Sequence, residues 1–433
     1  MVIYVVQPGD TLESIAREYG VPVSRIILQN ELGDSANLAV GQTLVIQYPE
    51  QIYTVQSGDT LNSIAQNYGV SLNTLYRNNP QLNGVDEIFE GQTLVISYDF
   101  EKRGSMEVNG YIYPFVDRSI LQKTLPYLTY LTIFTYGFTP EGNLVDRGIT
   151  EFGLPEDELI SLARQYNVAP IMHLSTLTQE GTFSSELANS LLQNETAQEV
   201  LINNIIARMQ EKNYYGFDLD FEYINPADKQ KYVDFVAKLQ NALSQNGYML
   251  ITALAPKTSS DMTGLIYESH DYRGIGEASD YVLLMTYEWG YMFGPPMATA
   301  PLNKVREVVE YGVSEIEPSK IFLGVPNYAY DWPLPYVKGE TKADALSNVE
   351  AVNLAVETGS TILFDEIAQA PYFFYTKDGV QHVVWFDDAR SIEAKLSLVP
   401  EYSLNGASYW NVMKYFPQNW LVLNAQYDIV NVI

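Results

Sequence analysis

Eight apolar runs divide the larger part of this chain at a rhythm that few folds satisfy. They are Tyr111–Val116, Leu131–Phe138, Ala169–Leu174, Gly216–Glu222, Leu250–Ala255, Tyr281–Tyr287, Ile321–Pro326 and Ala407–Val412. Amphipathic stretches such as Gln198–Lys212 and Ala227–Asn246 lie between most of them. Eight strands alternating with helices are the pattern of an α/β chain closed into a (β/α)8 barrel. A doubly wound open sheet is the competing arrangement. No Gly-x-Gly-x-x-Gly turn opens a helix here, and the number of runs favours closure.

One interval breaks the rhythm. From Asn327 to Gly406 the chain is far longer than one connecting helix needs. Tyr372–Tyr375 and Val380–Phe386, joined through Lys377-Asp378-Gly379, predict a hairpin, and Val349–Glu357 predicts a helix. We therefore expect a barrel over residues 110–433 with a small α+β insertion at 330–386, after the seventh strand. Such an insertion lies at the C-terminal face of a barrel, where it walls the cleft.

The N-terminal part is a tandem repeat. Tyr4–Asn30 and Tyr53–Asn79 are identical at 14 of 27 positions, and GQTLVI recurs at Gly41–Ile46 and Gly91–Ile96. Each copy predicts strand, helix, helix, strand, with Gly20 or Gly69 as a helix C-cap and Asp10 or Asp59 as an N-cap. The expected units are 1–48 and 51–98, followed by a linker at 99–109. A core this small is marginal alone, which suits a tandem arrangement.

Tyr214–Tyr223 reads YYGFDLDFEY. Residues two apart share one face of a strand, so Asp218, Asp220 and Glu222 face the barrel interior while Phe217, Leu219 and Phe221 face the helices. Three crowded acids cannot all ionise cheaply, and at least one carboxyl is held protonated, as a general acid requires. Clustered carboxylates also suit a divalent cation, and alternation also suits a solvated structural strand, so three readings stay open. Composition removes others. Lys plus Arg number 25 against 53 Asp plus Glu, a balance unsuited to nucleic acid or anionic lipid. There is no Cys, hence no thiol catalysis, disulfide or zinc–thiolate site, and His173, His270 and His382 are far apart in sequence. No signal peptide and no membrane-spanning run is visible, which predicts a protein made in soluble form. The 33 tyrosines provide stacking surface for a neutral, hydroxyl-rich ligand.

The repeats closely resemble the LysM module, in the GDTL turn, the SIA helix and the GQ-L closing strand. The resemblance implies binding of N-acetylglucosamine-containing glycans. The implied contacts are Gly9, Asp10, Thr11 and Leu12 with the loop Asn37–Val40, and Gly58, Asp59, Thr60 and Leu61 with the loop Glu87–Glu90. A purely structural role for the GDTL side chains is the other reading.

The acidic strand resembles the DxxDxDxE signature of glycoside hydrolase family 18, the chitinase-like hydrolases. Asp218, Asp220 and Glu222 match its last three acids, and Tyr215 stands where the first is expected. Leu284–Glu288 resembles the family's sixth-strand MxYD, with Glu288 replacing Asp. Gly324–Tyr328 resembles the seventh strand and Gly406–Trp410 the last. The resemblance implies substrate-assisted retaining hydrolysis without metal or cofactor. Glu222 is then acid and base, and Asp220 orients the substrate's acetamido group. Asp218 holds Asp220, and Tyr287 donates to the acetamido oxygen. Trp410 lies under the sugar, with Met285, Glu288, Asn327 and Tyr328 as further substrate contacts. A core aromatic is the other reading of Trp410.

LysM modules ahead of this barrel, with VPNYAYDW at Val325–Trp332 and VWFDDAR at Val384–Arg390, resemble the spore cortex-lytic N-acetylglucosaminidases of endospore-forming bacteria. The implied substrate is peptidoglycan and the implied location the spore cortex, the coat or the cell wall. A chitinase and a catalytically silent glycan-binding protein are the alternatives.

Overall fold

The chain folds, in a computed structural model describing residues 1–32, 37–147, 153–178 and 181–433, around eight parallel strands that close on one another. They are β1 (Gly104–Ile112), β2 (Tyr130–Phe138), β3 (Ala169–Ser175), β4 (Gly216–Asp220), β5 (Met249–Leu254), β6 (Tyr281–Leu284), β7 (Ile321–Pro326) and β8 (Gly406–Trp410). Neighbours in sequence are neighbours in the sheet, and β8 pairs back onto β1. Outward residues such as Val108, Leu131, Leu219 and Leu323 bury themselves against the surrounding helices. The inner layer is Tyr111, Tyr130, Ile171, Ile251, Leu283 and Phe322. The barrel is therefore filled, and its chemistry is confined to one end.

The first strand begins at Gly104 rather than Tyr111, inside the segment expected as a linker. The apolar run is hidden because alternate residues are polar and point inward. Glu107 accepts from Tyr130 Oη at 3.0 Å and from Asn405 at 2.8 Å. Asn109 donates to Ser408 at 3.0 Å and accepts from Thr132 at 2.9 Å. A hydrogen-bonded polar interior row masks a barrel strand from any reading based on apolar runs. At the other end, β4 and β6 stop at Asp220 and Leu284. Glu222, Tyr287 and Glu288 thus stand just beyond the strands, at the barrel mouth.

Between β7 and β8 lies a five-stranded antiparallel sheet built from Ala329–Pro333, Asp344–Leu346, Leu363–Asp365, Ala370–Lys377 and Val380–Trp385. Asp378 and Gly379 both have positive φ, 51° and 79°, which is the two-residue turn a tight hairpin prefers. Helix Asn348–Thr358 covers one face, packing Ala351 and Ala355 on Phe373 and Val384.

Each N-terminal repeat is a strand–helix–helix–strand unit with its two strands antiparallel. The first helices are capped by Thr11 and Thr60, each in a reciprocal capping box with the serine three residues on. The aspartates expected as caps do something else. Asp10 Oδ2 accepts from Tyr4 Oη and from the Gln7 amide, both at 2.6 Å. Asp59 Oδ2 accepts from Tyr53 Oη and the Gln56 amide, both at 2.7 Å. The hydroxyl one residue later reaches the orphan amide with better geometry, and the carboxylate closes the turn before it.

Candidate active site

The strand β4 places its acids by parity. Phe217 and Leu219 are buried outward, and Phe221 stacks on Tyr232 and Phe235 of the following helix, each centroid 5.9 Å away. Asp218 and Asp220 are left pointing inward, both buried, and Glu222 is half-buried at the mouth. Tyr111 Oη donates to Asp218 Oδ2 at 2.7 Å. His173 Nε2 is 3.7 Å from Asp218 Oδ2 and 3.7 Å from Asp220 Oδ2. His173 Nδ1 lies 2.6 Å from Thr135 Oγ1, which also contacts the Tyr136 carbonyl at 2.9 Å and Ser175 Oγ at 3.1 Å. His173 Nε2 faces two carboxylate oxygens, each beyond hydrogen-bond distance.

Burial, opposed by His173 and by the Tyr111 hydrogen bond, pushes the Asp218 carboxyl up to about 6. Burial, reinforced by the neighbouring carboxylates of Asp220 and Glu288, holds Glu222 well above the usual carboxylate range. Burial and the surrounding acids keep the Tyr287 phenol protonated and a donor. Its ring has room because residue 324 is glycine: a Cβ there would sit 2.9 Å from the Tyr287 ring and 2.4 Å from the Leu284 carbonyl.

A cavity of about 470 Å³ opens over these groups, lined by Tyr113, Phe134, Phe183, Asp220, Glu222, Met285, Tyr287, Glu288 and Trp410, among others. Trp410 stands half-buried against Tyr111, Tyr113 and Phe134, with centroids 5.5, 6.0 and 5.2 Å away. Glu288, at φ 65°, accepts from Tyr328 Oη and from Tyr330 Oη, the latter at 3.1 Å. Those bonds tie the cleft wall to the inserted sheet. Among the described residues no group of three or more His, Cys, Asp or Glu is arranged to hold a metal ion. The cavity lining among the described residues carries three carboxylates and no Lys or Arg.

Of the residues singled out from sequence, Asp218, Asp220, Glu222, Met285, Tyr287, Glu288 and Trp410 converge here. Tyr328 reaches the cleft through Glu288. Asn327 does not enter it: its amide donates to the Asn411 and Lys414 carbonyls at 3.0 and 2.9 Å. In the repeats, Leu12 and Leu61 are core residues, and Asp10, Thr11, Asp59 and Thr60 are engaged in their own turns and caps. What their loops offer a ligand is backbone, at Gly9 and Gly58, where nothing lies within 4 Å of an added Cβ.

Sequence reasoning missed His173, Tyr111 and His270. The first two lie on inward positions of β3 and β1, and His173 is paired in register with Asp218. The signal was a lone His inside an apolar strand. His270 accepts from the Ala255 amide at Nδ1, 2.7 Å, and an amide can only donate. Its Nε2 therefore carries the proton and donates to the Phe221 carbonyl at 3.0 Å, next to Glu222. Burial lowers the His270 pKa to about 4, so the ring stays neutral in this role.

Comparison with known proteins matches residues 117–414 to glycosyl hydrolases family 18, and residues 4–47 and 53–97 to the LysM domain. The chain is 40% identical to the cortical fragment-lytic enzyme of Bacillus subtilis (strain 168), over 99% of both chains. It is 35% identical to the enzyme of the same name from Bacillus anthracis, over 99% of this chain and 98% of that one. The crystal structure of the Bacillus megaterium QM B1551 spore cortex-lytic enzyme SleL superposes with a TM-score of 0.83 at 36% identity, covering 100% of this chain and 99% of that one.

Proposed function

We propose that this chain, which belongs to glycosyl hydrolases family 18, cleaves the β-1,4 bond after N-acetylglucosamine in peptidoglycan, with spore cortex and its fragments as the natural form of that substrate. Family membership makes it a glycosidase, and its two LysM modules make it a binder of glycan of the peptidoglycan kind. No helix among the described residues is long and apolar enough to cross a membrane. Cortex or wall association then falls to the LysM loops, with N-acetylglucosamine-containing glycan as the partner.

The observation that carries the reading is the mouth of β4. Glu222, its carboxyl pushed well above the usual range by burial and the neighbouring acids, shares one cavity with Asp220 and Trp410. Glu222 protonates the glycosidic oxygen, and the sugar's own 2-acetamido oxygen attacks the anomeric carbon, closing an oxazolinium ring. Glu222 then takes a proton from the water that opens that ring. Asp220 orients the acetamido group and balances its developing positive charge. Asp218, held by the Tyr111 hydrogen bond and facing His173, fixes Asp220. Tyr287 donates to the acetamido oxygen, and Trp410 supports the sugar face.

The acidic lining also favours one register. A muramyl residue carries a lactyl carboxylate, which would meet Asp220 and Glu288 with no Lys or Arg among the described lining residues to offset it. A neutral N-acetylglucosamine meets no such repulsion. Digestion of purified sacculi, cortex fragments and chitin, with borohydride reduction and mass spectrometry, tests this. N-acetylglucosaminitol ends from peptidoglycan are expected. Muramitol ends would overturn the register, release from chitin alone would make the enzyme a chitinase, and no new ends would leave a binding protein.

A further inference from the structure

The two LysM copies share a sequence motif but not a surroundings. In copy 1 the closing loop is packed into the rest of the molecule. Ala39 is 5% exposed and belongs to the cluster of Ala329, Ala351, Ala355, Ile362 and Phe373 in the inserted sheet and its helix. The Val40 carbonyl accepts from the Ile362 amide at 2.8 Å. Gly41 sits so close that a Cβ would lie 2.0 Å from the Ile362 carbonyl oxygen. Two residues on, Thr43 exchanges hydrogen bonds with Gln418 at 2.7 and 2.6 Å.

Copy 2 docks on the barrel by a different face. Asn73 donates to the Tyr166 carbonyl at 2.6 Å, and Arg77 to the Pro126 carbonyl at 2.9 Å. Its closing loop is left open. Phe89, the counterpart of Ala39, is 63% exposed. Gly91, the counterpart of Gly41, has nothing within 4 Å of an added Cβ. An exposed phenyl ring on the loop Glu87–Glu90, between Ile88 and Glu90, is a surface suited to the apolar face of a neutral sugar.

We infer that the copies have divided the work: copy 1 is an internal brace that fixes the inserted sheet to the barrel, and copy 2 alone holds the wall glycan. The second half rests on the reading of the LysM loops as glycan-binding. The brace has a use in the cleft, because Tyr330 of the inserted sheet, with the adjacent Tyr328, positions Glu288. The closing loop of copy 1 is thus committed to protein, and half of its sugar groove with it.

A matched pair of glycine variants tests the brace in the full-length chain. Gly41 and Gly91 have φ of 87° and 85°, so Gly41→Ala and Gly91→Ala carry the same backbone strain, and only the first meets a neighbour. G41A is expected to lower Tm by about 3 °C or more beyond the loss in G91A. Equal losses would overturn the brace. Co-sedimentation with insoluble sacculi tests the second half. Phe89→Ala is expected to weaken binding about tenfold, and Asn37→Ala, on the exposed start of the copy 1 loop, to leave it unchanged. Weakening by N37A equal to that by F89A would overturn the division. Binding undiminished in both variants would overturn it differently, by placing capture on the barrel and removing the LysM reading itself.

Discussion

Two sets of acids in this molecule share a residue type and little else. Asp10 and Asp59 close the turns of the repeats, and each carboxylate oxygen that matters receives a phenol and a backbone amide within 2.7 Å. Asp218, Asp220 and Glu222 are crowded at the end of one strand. Asp218 receives one phenol, and among the described residues its other oxygen and Asp220 Oδ1 have no protein partner. A carboxylate supplied with donors is stable as an anion and holds a shape. A carboxylate short of donors and beside like charge holds a proton instead, and a proton that can be given away is what hydrolysis needs. The repeats use acids as architecture, and the barrel uses them as a reservoir.

The sharpest break of that contrast is Glu222→Gln. The amide keeps the shape and removes the transferable proton, so kcat/KM on soluble peptidoglycan fragments should fall by about a thousandfold. The wild-type rate should also decline as pH rises through the raised Glu222 pKa, because only the protonated form is an acid. Activity in E222Q close to wild type would mean that the proton comes from elsewhere.

Asp218→Asn asks what the crowding costs the fold. The native pKa of about 6 lies above the ordinary 3.8, so between those values the folded chain holds a proton that the unfolded chain has released. Stability therefore falls as pH rises through that window, and the full penalty, about 1–3 kcal/mol, stands above it. D218N keeps an acceptor for Tyr111 and removes the penalty. It should raise Tm at pH 8 and give no gain below pH 4. A uniform loss at both would show that the Asp218 anion is stabilising. A smaller effect is expected from His270→Phe, which cuts the hydrogen bond to the Phe221 carbonyl. It should lower kcat about tenfold with KM held, since the ring positions Glu222 without touching substrate. Recovery in His270→Gln would confirm that the donated bond matters.

How much of this was legible depends on whether the information is local. The barrel strands other than β1 stand in the sequence as runs because their outward residues, and many of their inward ones, are apolar. β1 was displaced because Glu107 and Asn109 find their partners on β2, on β8 and in the loop before it, which no window can see. The acids of β4 were legible from parity alone. Their setting was not: Tyr111 and His173 come from other strands and meet Asp218 only once the barrel closes. The same limit hid the fate of the repeats. Ala39 and Phe89 occupy equivalent places two residues before the shared GQTLVI strand, and only the docked fold separates a buried contact from an exposed ring.

The smallest expected effect probes the other side of the contrast. Asp59→Ala removes an acceptor from Tyr53 Oη and from the Gln56 amide, in a turn that water can reach. Solvent replaces part of what is lost, so the cost should be about 1 kcal/mol, well short of that for a buried pair. A double-mutant cycle with Tyr53→Phe should return most of that as coupling energy, because one hydrogen bond is then being removed twice. The outcome that would erase the contrast is specific. If D59A left stability and coupling untouched yet abolished sedimentation with sacculi, Asp59 would be a glycan ligand. The repeat's acid would then be functional in the same sense as the barrel's.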